Sequence, residues 1–255
     1  MVKPESIALY VIKNIPLIRA GDNLGVIIAN CIQKQDMLIL DRDILVIAQK
    51  VVSRAENRMV LLSKVIPSQE ANYLASKTRR DPRLCQLILD HSRVLYCNDK
   101  AIITQDRLGI VSTSAGIDRS NSDSPEGEIA ILLPENPDLS ARRVRDKIKE
   151  IMDVNVAVII SDSLGRPWRE GSVGMAIGLA GIKAIEATEK RDLSGRVIHP
   201  EIALVDRVAA AASILMGEAD EGYPVIIVRG INYTPSDTVK IRDLLRPAEE
   251  DQVWE

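Results

Sequence analysis

VAVIISDSLGRPWREG, residues 156–171, begins as an uninterrupted apolar run and becomes polar within one residue. Apolar runs without alternation are typical of a strand that is covered on both faces. The charged and hydroxyl side chains that follow within nine positions are Asp162, Ser163, Arg166, Arg169 and Glu170. Because a buried strand is a rigid support, its polar end predicts a place where side chains are fixed in position and still meet a ligand.

Further apolar runs and periodic segments predict a fold that mixes α-helices and β-strands. DILVIAQKVVS (43–53) is interpreted as a buried strand that runs into polar residues, and PVIIV (224–228) as the last clear strand. Helices are predicted over 22–34, 68–78, 81–92, 139–152 and 202–216, with Asp22 as the first cap and Gly217 as the last. Four glycines in GSVGMAIGLAGIKAI (171–185) would weaken a helix and indicate close backbone packing.

Composition excludes several classes of protein. The chain has 255 residues, of which 46% are hydrophobic and 27% charged, so it can build a large core and suits two closely associated domains. Its net charge of −3, with acids and bases well mixed, argues against a nucleic-acid or membrane partner. Three dispersed cysteines, no signal peptide and no apolar run of about 20 residues predict a cytoplasmic protein without disulfides or structural zinc.

The sequence contains few histidines and lacks the two common glycine-rich motifs for nucleotide binding. The two histidines are His91, interpreted as lying near the end of a helix, and His199, so a His-based metal site or a Ser-His-Asp triad is not expected. Neither G-x-x-x-x-G-K-[ST] nor G-x-G-x-x-G occurs, so any nucleotide must be held in another way.

Three carboxylates stand at the ends of apolar or glycine-containing segments. Asp118 lies in SAGIDRSN (114–121), Asp162 follows the strand quoted above, and Glu218 lies in ILMGEADEGYP (214–224). Carboxylates and hydroxyls are the ligands that Mg²⁺ and Mn²⁺ prefer, and Arg166 with Arg169 would suit a phosphate or carboxylate group. Each acid taken alone could equally be a cap or turn residue, and the arginines could form surface ion pairs. Spacing alone does not show that the three acids meet.

The amino-acid sequences of several segments resemble those of the coenzyme F420-0:L-glutamate ligase family. The segments occur in the family's order between residue 14 and about residue 230: NIPLI (14–18), AQKVVSRAE (48–56), SAGIDRSN (114–121), ISDSLGRPWREGSVGMAIGLAGIKAI (160–185) and ILMGEADEGYPVIIVRG (214–230). The resemblance implies a two-domain α+β fold with mixed sheets in an intertwined homodimer. Residues 1–255 would form one ligase unit of two intimately packed subdomains, without the C-terminal flavoprotein-like extension of longer relatives.

The resemblance also implies an activity. Members of the family are GTP-dependent amide ligases that add L-glutamate, ultimately through γ-linkages, to coenzyme F420-0. The reaction would pass through an acyl phosphate and release GDP and phosphate. It would require Mg²⁺ or Mn²⁺, with two ions expected, and K⁺ would assist.

Site residues follow from the same likeness. Asp118 and Asp162 should hold one divalent ion, Ser163 and Glu218 should serve a second, and Asp162, Ser163 and Arg166 should act in catalysis. The residues expected to contact GTP are Ile15, Pro16, Leu17, Ile18, Gln49, Lys50, Arg54, Asn121, Met216, Gly217, Glu218, Ala219, Asp220, Glu221, Gly222 and Tyr223.

Two alternatives remain open at this point. A related ligase could use the same metal and phosphate chemistry on another carboxylate and amine. A non-catalytic homologue could keep the fold and bind GTP without releasing phosphate. The retained acids at 118, 162 and 218 argue against the non-catalytic alternative.

Overall fold

The structure is a computed structural model that describes residues 6–119, 123–124, 127–166, 169–187 and 189–246. The α-helices in these residues are Leu24–Lys34 (α1), Gln49–Ala55 (α2), Gln69–Thr78 (α3), Pro82–His91 (α4), Pro137–Met152 (α5) and Leu204–Met216 (α6). The strands are Ala8–Val11 (β1), Ile44–Ala48 (β2), Met59–Leu61 (β3), Ser92–Cys97 (β4), Ile102–Asp106 (β5), Val111–Thr113 (β6), Asp123–Ser124 (β7), Gly127–Ile131 (β8), Ala157–Arg166 (β9), Arg169–Ala180 (β10), Ile185–Ala187 (β11), Lys190–Arg191 (β12), Val197–Ile198 (β13), Glu201–Ala203 (β14) and Val225–Arg229 (β15).

A five-stranded mixed sheet, in the order β1-β15-β2-β9-β10, carries the quoted stretch near its edge. Strands β2 and β9 run parallel, with Ala48 opposite Ser161, and the other pairs are antiparallel. The carboxyl ends of β2 and β9 therefore lie at one end of the sheet. Strand β15 begins at that end, because it runs antiparallel to β2 with Val225 opposite Ile47.

Both faces of this sheet are covered, as the uninterrupted apolar runs predict. Leu45, Ile47, Val158 and Ile160 belong to one buried cluster, to which α1 and α5 also contribute. Their neighbours along the same strands, such as Ile44 and Val46, belong to a second cluster that includes α6. Each fully buried side chain of this size stabilises the fold by about 1.5–3 kcal/mol, so the end of the sheet is a rigid platform.

Two segments differ from the sequence-based expectation. The stretch 43–53 is not one strand: β2 ends at Ala48 and helix α2 begins at Gln49. The glycine-dense stretch forms most of strand β10, and its glycines do permit the predicted close packing. A Cβ added at Gly178 would lie 2.5 Å from the carbonyl carbon of Pro137 on α5, and one at Gly174 would lie 2.7 Å from the carbonyl oxygen of Ala209 on α6.

Residues 59–132 carry two smaller buried clusters of their own. Helices α3 and α4 and a three-stranded sheet, β4-β5-β6, build the first cluster. A second three-stranded sheet, β3-β8-β7, contributes to the other. His91 lies at the end of α4, where the sequence predicts a helix terminus, and burial is the main cause that lowers its pKa. The α+β class with mixed sheets is confirmed, whereas the two-subdomain division and the homodimer stay predictions.

The cysteines are all free, in agreement with the expectation that the chain has no disulfide framework. No helix within the described ranges combines the length and the apolar character that crossing a bilayer demands.

Candidate functional site

Polar side chains from separate parts of the sequence lie at the end of the sheet where β2 and β9 finish. Gln49 and Lys50 open α2 directly after β2, and Asp162 and Ser163 lie on β9 beside them. The segment 217–224 between α6 and β15 is held at the same end, because the Ala48 amide donates to the Pro224 carbonyl over 2.9 Å. The parallel pairing of β2 with β9 thus brings the polar residues that follow Ala48 and Ser161 to the same end of the sheet.

Asp118 reaches this end of the sheet from the other part of the chain. Its backbone amide and carbonyl pair with those of Ile131 at the end of β8. Its carboxylate Oδ2 lies 2.8 Å from Nζ of Lys50. Ser114 and Ala115, shortly before it, both have positive φ angles, of 53° and 58°. Non-glycine residues in this left-handed region are strained, and such strain is often found at functional sites.

Asp162 lies in the field of the other charged groups. Burial is the main cause that raises its pKa, and the charges of Asp118 and Glu218 raise it further. A hydrogen bond of 2.9 Å from the Ser163 amide and the charge of Lys50 act in the opposite direction. The resulting pKa is about 7. Asp118 and Glu218, which sequence spacing could not connect to Asp162, therefore both lie close enough to act on its carboxyl group.

Glu218 is bound to the strand that carries Asp162. Its Oε1 accepts hydrogen bonds from Ser163 Oγ at 2.9 Å and from Ser172 Oγ at 3.3 Å. Ser172 was not predicted from the sequence, since its role depends on the antiparallel hairpin in which it lies opposite Gly165. In the adjoining turn, the Glu221 carboxylate accepts from the Ala219 amide at 2.9 Å, which fixes the conformation of the segment.

Other predicted residues line the same region. Gln49 is only 1% exposed; its Oε1 accepts from Ser53 Oγ, while its Nε2 has no hydrogen-bond partner among the described residues. A buried amide donor without a partner is costly, so it is suited to donate to a ligand. The sulfur of Met216 lies 3.8 Å from Ser161 Oγ, which links the end of α6 to β9.

Some predicted residues are not brought to the carboxylates by any described contact. Arg166 donates to the Glu170 carbonyl, at 3.4 Å, within its own hairpin. In the predicted GTP segment 15–18, Ile18 is buried in the core whereas Leu17 is 73% exposed. Arg54 lies 3.8 Å from the Met59 sulfur. Asn121 lies outside the described residues.

The arrangement of Asp118, Asp162 and Glu218 is compatible with metal ions that bind only one or two protein side chains each. Across the described ranges, no three His, Cys, Asp or Glu side chains are grouped so that they could hold one ion together. The predicted arrangement needs only pairs, Asp118 with Asp162 and Ser163 with Glu218. Mg²⁺ commonly keeps several waters and binds through one or two carboxylates plus substrate phosphates. An all-oxygen set of this kind is compatible with Mg²⁺ or Mn²⁺.

Comparison with known proteins gives a consistent answer. A sequence model of the family described as F420-0:Gamma-glutamyl ligase matches residues 13–230. The chain is 40% identical over 256 residues to the Coenzyme F420:L-glutamate ligase of Methanocaldococcus jannaschii, with 98% of each chain covered. It is also 40% identical over 250 residues to the protein of that name from Methanothermobacter thermautotrophicus, with 96% of this chain and 98% of the relative covered. The chain therefore belongs to the F420-0:gamma-glutamyl ligase family.

Proposed function

We propose that this protein uses GTP to join L-glutamate to coenzyme F420-0, including γ-linked additions, with two Mg²⁺ or Mn²⁺ ions and with K⁺ assisting. Membership of the family makes the chain a ligase that forms C–N bonds with glutamate. The dependence on GTP and on divalent metal is proposed in addition to this ligase activity. The observation that carries it is the convergence of Asp118, Asp162 and Glu218 at one end of a rigid sheet.

Amide formation from a carboxylate requires that one of its oxygens becomes part of a leaving group. Transfer of the γ-phosphoryl group of GTP to the acceptor carboxylate gives an acyl phosphate and GDP. The glutamate amine then attacks the acyl carbon; the C–N bond forms, the C–O bond to phosphate breaks, and the amine loses a proton. Divalent ions, when bound, would neutralise charge on the transferring phosphoryl group.

The chain's own residues position the reactants. Asp118 and Asp162 would hold one ion, and Ser163 and Glu218 the other. The unpartnered Nε2 of Gln49 and the ammonium of Lys50 can donate to the polyphosphate. Further residues of the proposed nucleotide site are Arg54, the segment 15–18 and the segment 216–223. Because the nucleophile belongs to the substrate, the shortage of histidines is no obstacle.

Mass spectrometry of F420-0 incubated with the protein, GTP, Mn²⁺ and glutamate tests the proposal. We expect a product heavier by one or more glutamyl units. Asp162→Asn should lower turnover by about 100-fold or more while circular dichroism stays unchanged. Asp206→Asn is a matched control. Burial also raises the pKa of the Asp206 carboxyl group, which lies on α6 and accepts a hydrogen bond from the Ala176 amide of β10. This control should retain turnover.

The same experiment separates the two alternatives. Glutamylation of another supplied carboxylate, with F420-0 left unmodified, would indicate a ligase for another acceptor. Binding of GTP without phosphate release, with every substrate and Mn²⁺ present, would indicate a non-catalytic homologue. Unchanged turnover of Asp162→Asn would contradict the metal assignment.

A further inference from the structure

We infer that Lys50 exchanges partners during ligand binding: it neutralises Asp118 in the ligand-free enzyme and transfers to the nucleotide polyphosphate when metal and nucleotide bind. This exchange would couple the affinity for metal to the affinity for nucleotide. The inference rests on the proposed function, and it assigns Lys50 a positioning role in addition to a nucleotide contact.

An ion pair joins Lys50 to Asp118, one of the three acids predicted to bind metal. Nζ of Lys50 is 2.8 Å from Oδ2 of Asp118, and the two side chains are 35% and 20% exposed. The Lys50 charge also acts on Asp162, on which the charges of Asp118 and Glu218 act with opposite sign. The Lys50 charge thus acts on both Asp118 and Asp162, and it partly offsets the repulsion between these two carboxylates.

A divalent ion bound by Asp118 competes with this ammonium group. Both cations need the lone pairs of the same carboxylate, and two like charges on one carboxylate repel each other strongly where water is partly excluded. Metal binding at Asp118 therefore weakens or breaks the Lys50–Asp118 pair. Without an anion to receive it, the Lys50 ammonium loses its favourable interaction with Asp118, and this loss reduces the affinity for metal.

A polyphosphate provides the second partner. The lysine side chain is a flexible four-carbon stem that carries a compact charge, so it can change partners without movement of the backbone. Lys50 follows the end of β2, and the segment 217–224 is attached to that end through the Ala48–Pro224 hydrogen bond. A nucleotide phosphate between these segments would lie within reach of the released ammonium. Metal and nucleotide should consequently bind with positive coupling, which by thermodynamic linkage is reciprocal.

The test is the affinity for Mn²⁺, read from the electron paramagnetic resonance signal of unbound Mn²⁺, with and without a non-hydrolysable GTP analogue. For the wild-type chain we expect the analogue to tighten Mn²⁺ binding. Lys50→Met keeps the apolar stem and removes the charge. This variant should bind Mn²⁺ alone about tenfold more tightly, and the gain caused by the analogue should fall about tenfold or more. Lys50→Gln provides a second uncharged variant should the first fold poorly.

Lys147→Met is the matched control, because Lys147 also forms an ion pair, at 2.5 Å from Glu150 on α5, with a side chain 27% exposed. This variant should behave as wild type. Unchanged or weaker binding of Mn²⁺ alone in both Lys50 variants would overturn the inference while leaving the proposed function intact. A wild-type chain that binds neither Mn²⁺ nor the analogue would contradict the proposed function itself, and the inference with it.

Discussion

The buried carboxyl group of Asp162, which is proposed to bind metal, destabilises the ligand-free protein when it is ionised. Its pKa rises from 3.8 to about 7 on folding, mainly through burial, so the folded chain binds a proton more tightly than the unfolded chain. The stabilisation from this proton is complete below the unfolded pKa and is lost as pH rises through 7. Because the side chain remains partly open to solvent, we expect a loss of about 1–2 kcal/mol in unfolding free energy between pH 5 and 8.

Asp162→Asn removes this ionisation, so it should stabilise the protein, whereas most substitutions destabilise. Without metal, its melting temperature at pH 8 should exceed that of wild type by about 2–6 °C, whereas the two should be similar at pH 5. Thermal denaturation followed by circular dichroism at both pH values measures the difference. If the melting temperatures of the two proteins differed by the same amount at both pH values, ionisation of Asp162 would not destabilise the folded chain.

The identity of the three acids could be predicted at the residue scale, but their meeting could not. Asp162 can be identified because polar residues follow the apolar run that ends at Ile160. Its proximity to Asp118 depends on the parallel pairing of β2 with β9 and on the bridge from Asp118 to Ile131, both of which join residues distant in sequence. Ser172 contacts Glu218 only because the hairpin folds back, so no local pattern indicated it.

Helices with side-chain caps were easier to predict than the short one that carries Lys50. Helices α3, α4 and α5 begin with Ser68, Asp81 and Asn136, each of which accepts a hydrogen bond from the first turn. Helix α1 is capped by Asn23 and not by the expected Asp22, which instead accepts from the Arg19 amide. Helix α2 has no side-chain cap, and its Val51 and Val52 continue the apolar run of β2. That continuity is why 43–53 was wrongly predicted as one strand.

At Gly178 and Gly174, strand β10 lies too close to α5 and α6 respectively for a side chain to fit without movement. Gly178→Ala would place a methyl group 2.5 Å from the backbone of Pro137, so either α5 or the strand must move. We expect this change to lower the unfolding free energy by about 1–3 kcal/mol, measured by urea denaturation. Gly165→Ala on the partner strand is the matched control, because nothing lies within 4 Å of its added Cβ. Equal effects of the two changes would show that the close approach to α5 is not limiting.

At the scale of the whole molecule, the candidate site draws on two separate sets of buried clusters. Lys50, Asp162 and Glu218 belong to the central sheet and its connections, whereas Asp118 belongs to the segment 59–132 with clusters of its own. A ligand held by Asp118 and Asp162 together would therefore connect the two parts. Ligand binding stabilises the states that bind by RT ln(1 + [L]/Kd), which is about 2.7 kcal/mol at a hundredfold excess over Kd.

Hydrogen exchange measures this connection directly. With Mn²⁺ and a non-hydrolysable GTP analogue, protection of backbone amides should rise in residues 114–119 and 216–223 together, by up to the free energy above. A chelator should reverse both changes, because the ions are what the two parts would share. Asp118→Asn should keep some protection at 216–223, where Glu218 remains, and lose it at 114–119. Wild-type protection confined to 216–223 would mean that Asp118 takes no part in binding, since only Asp118 connects the segment 59–132 to the proposed ions.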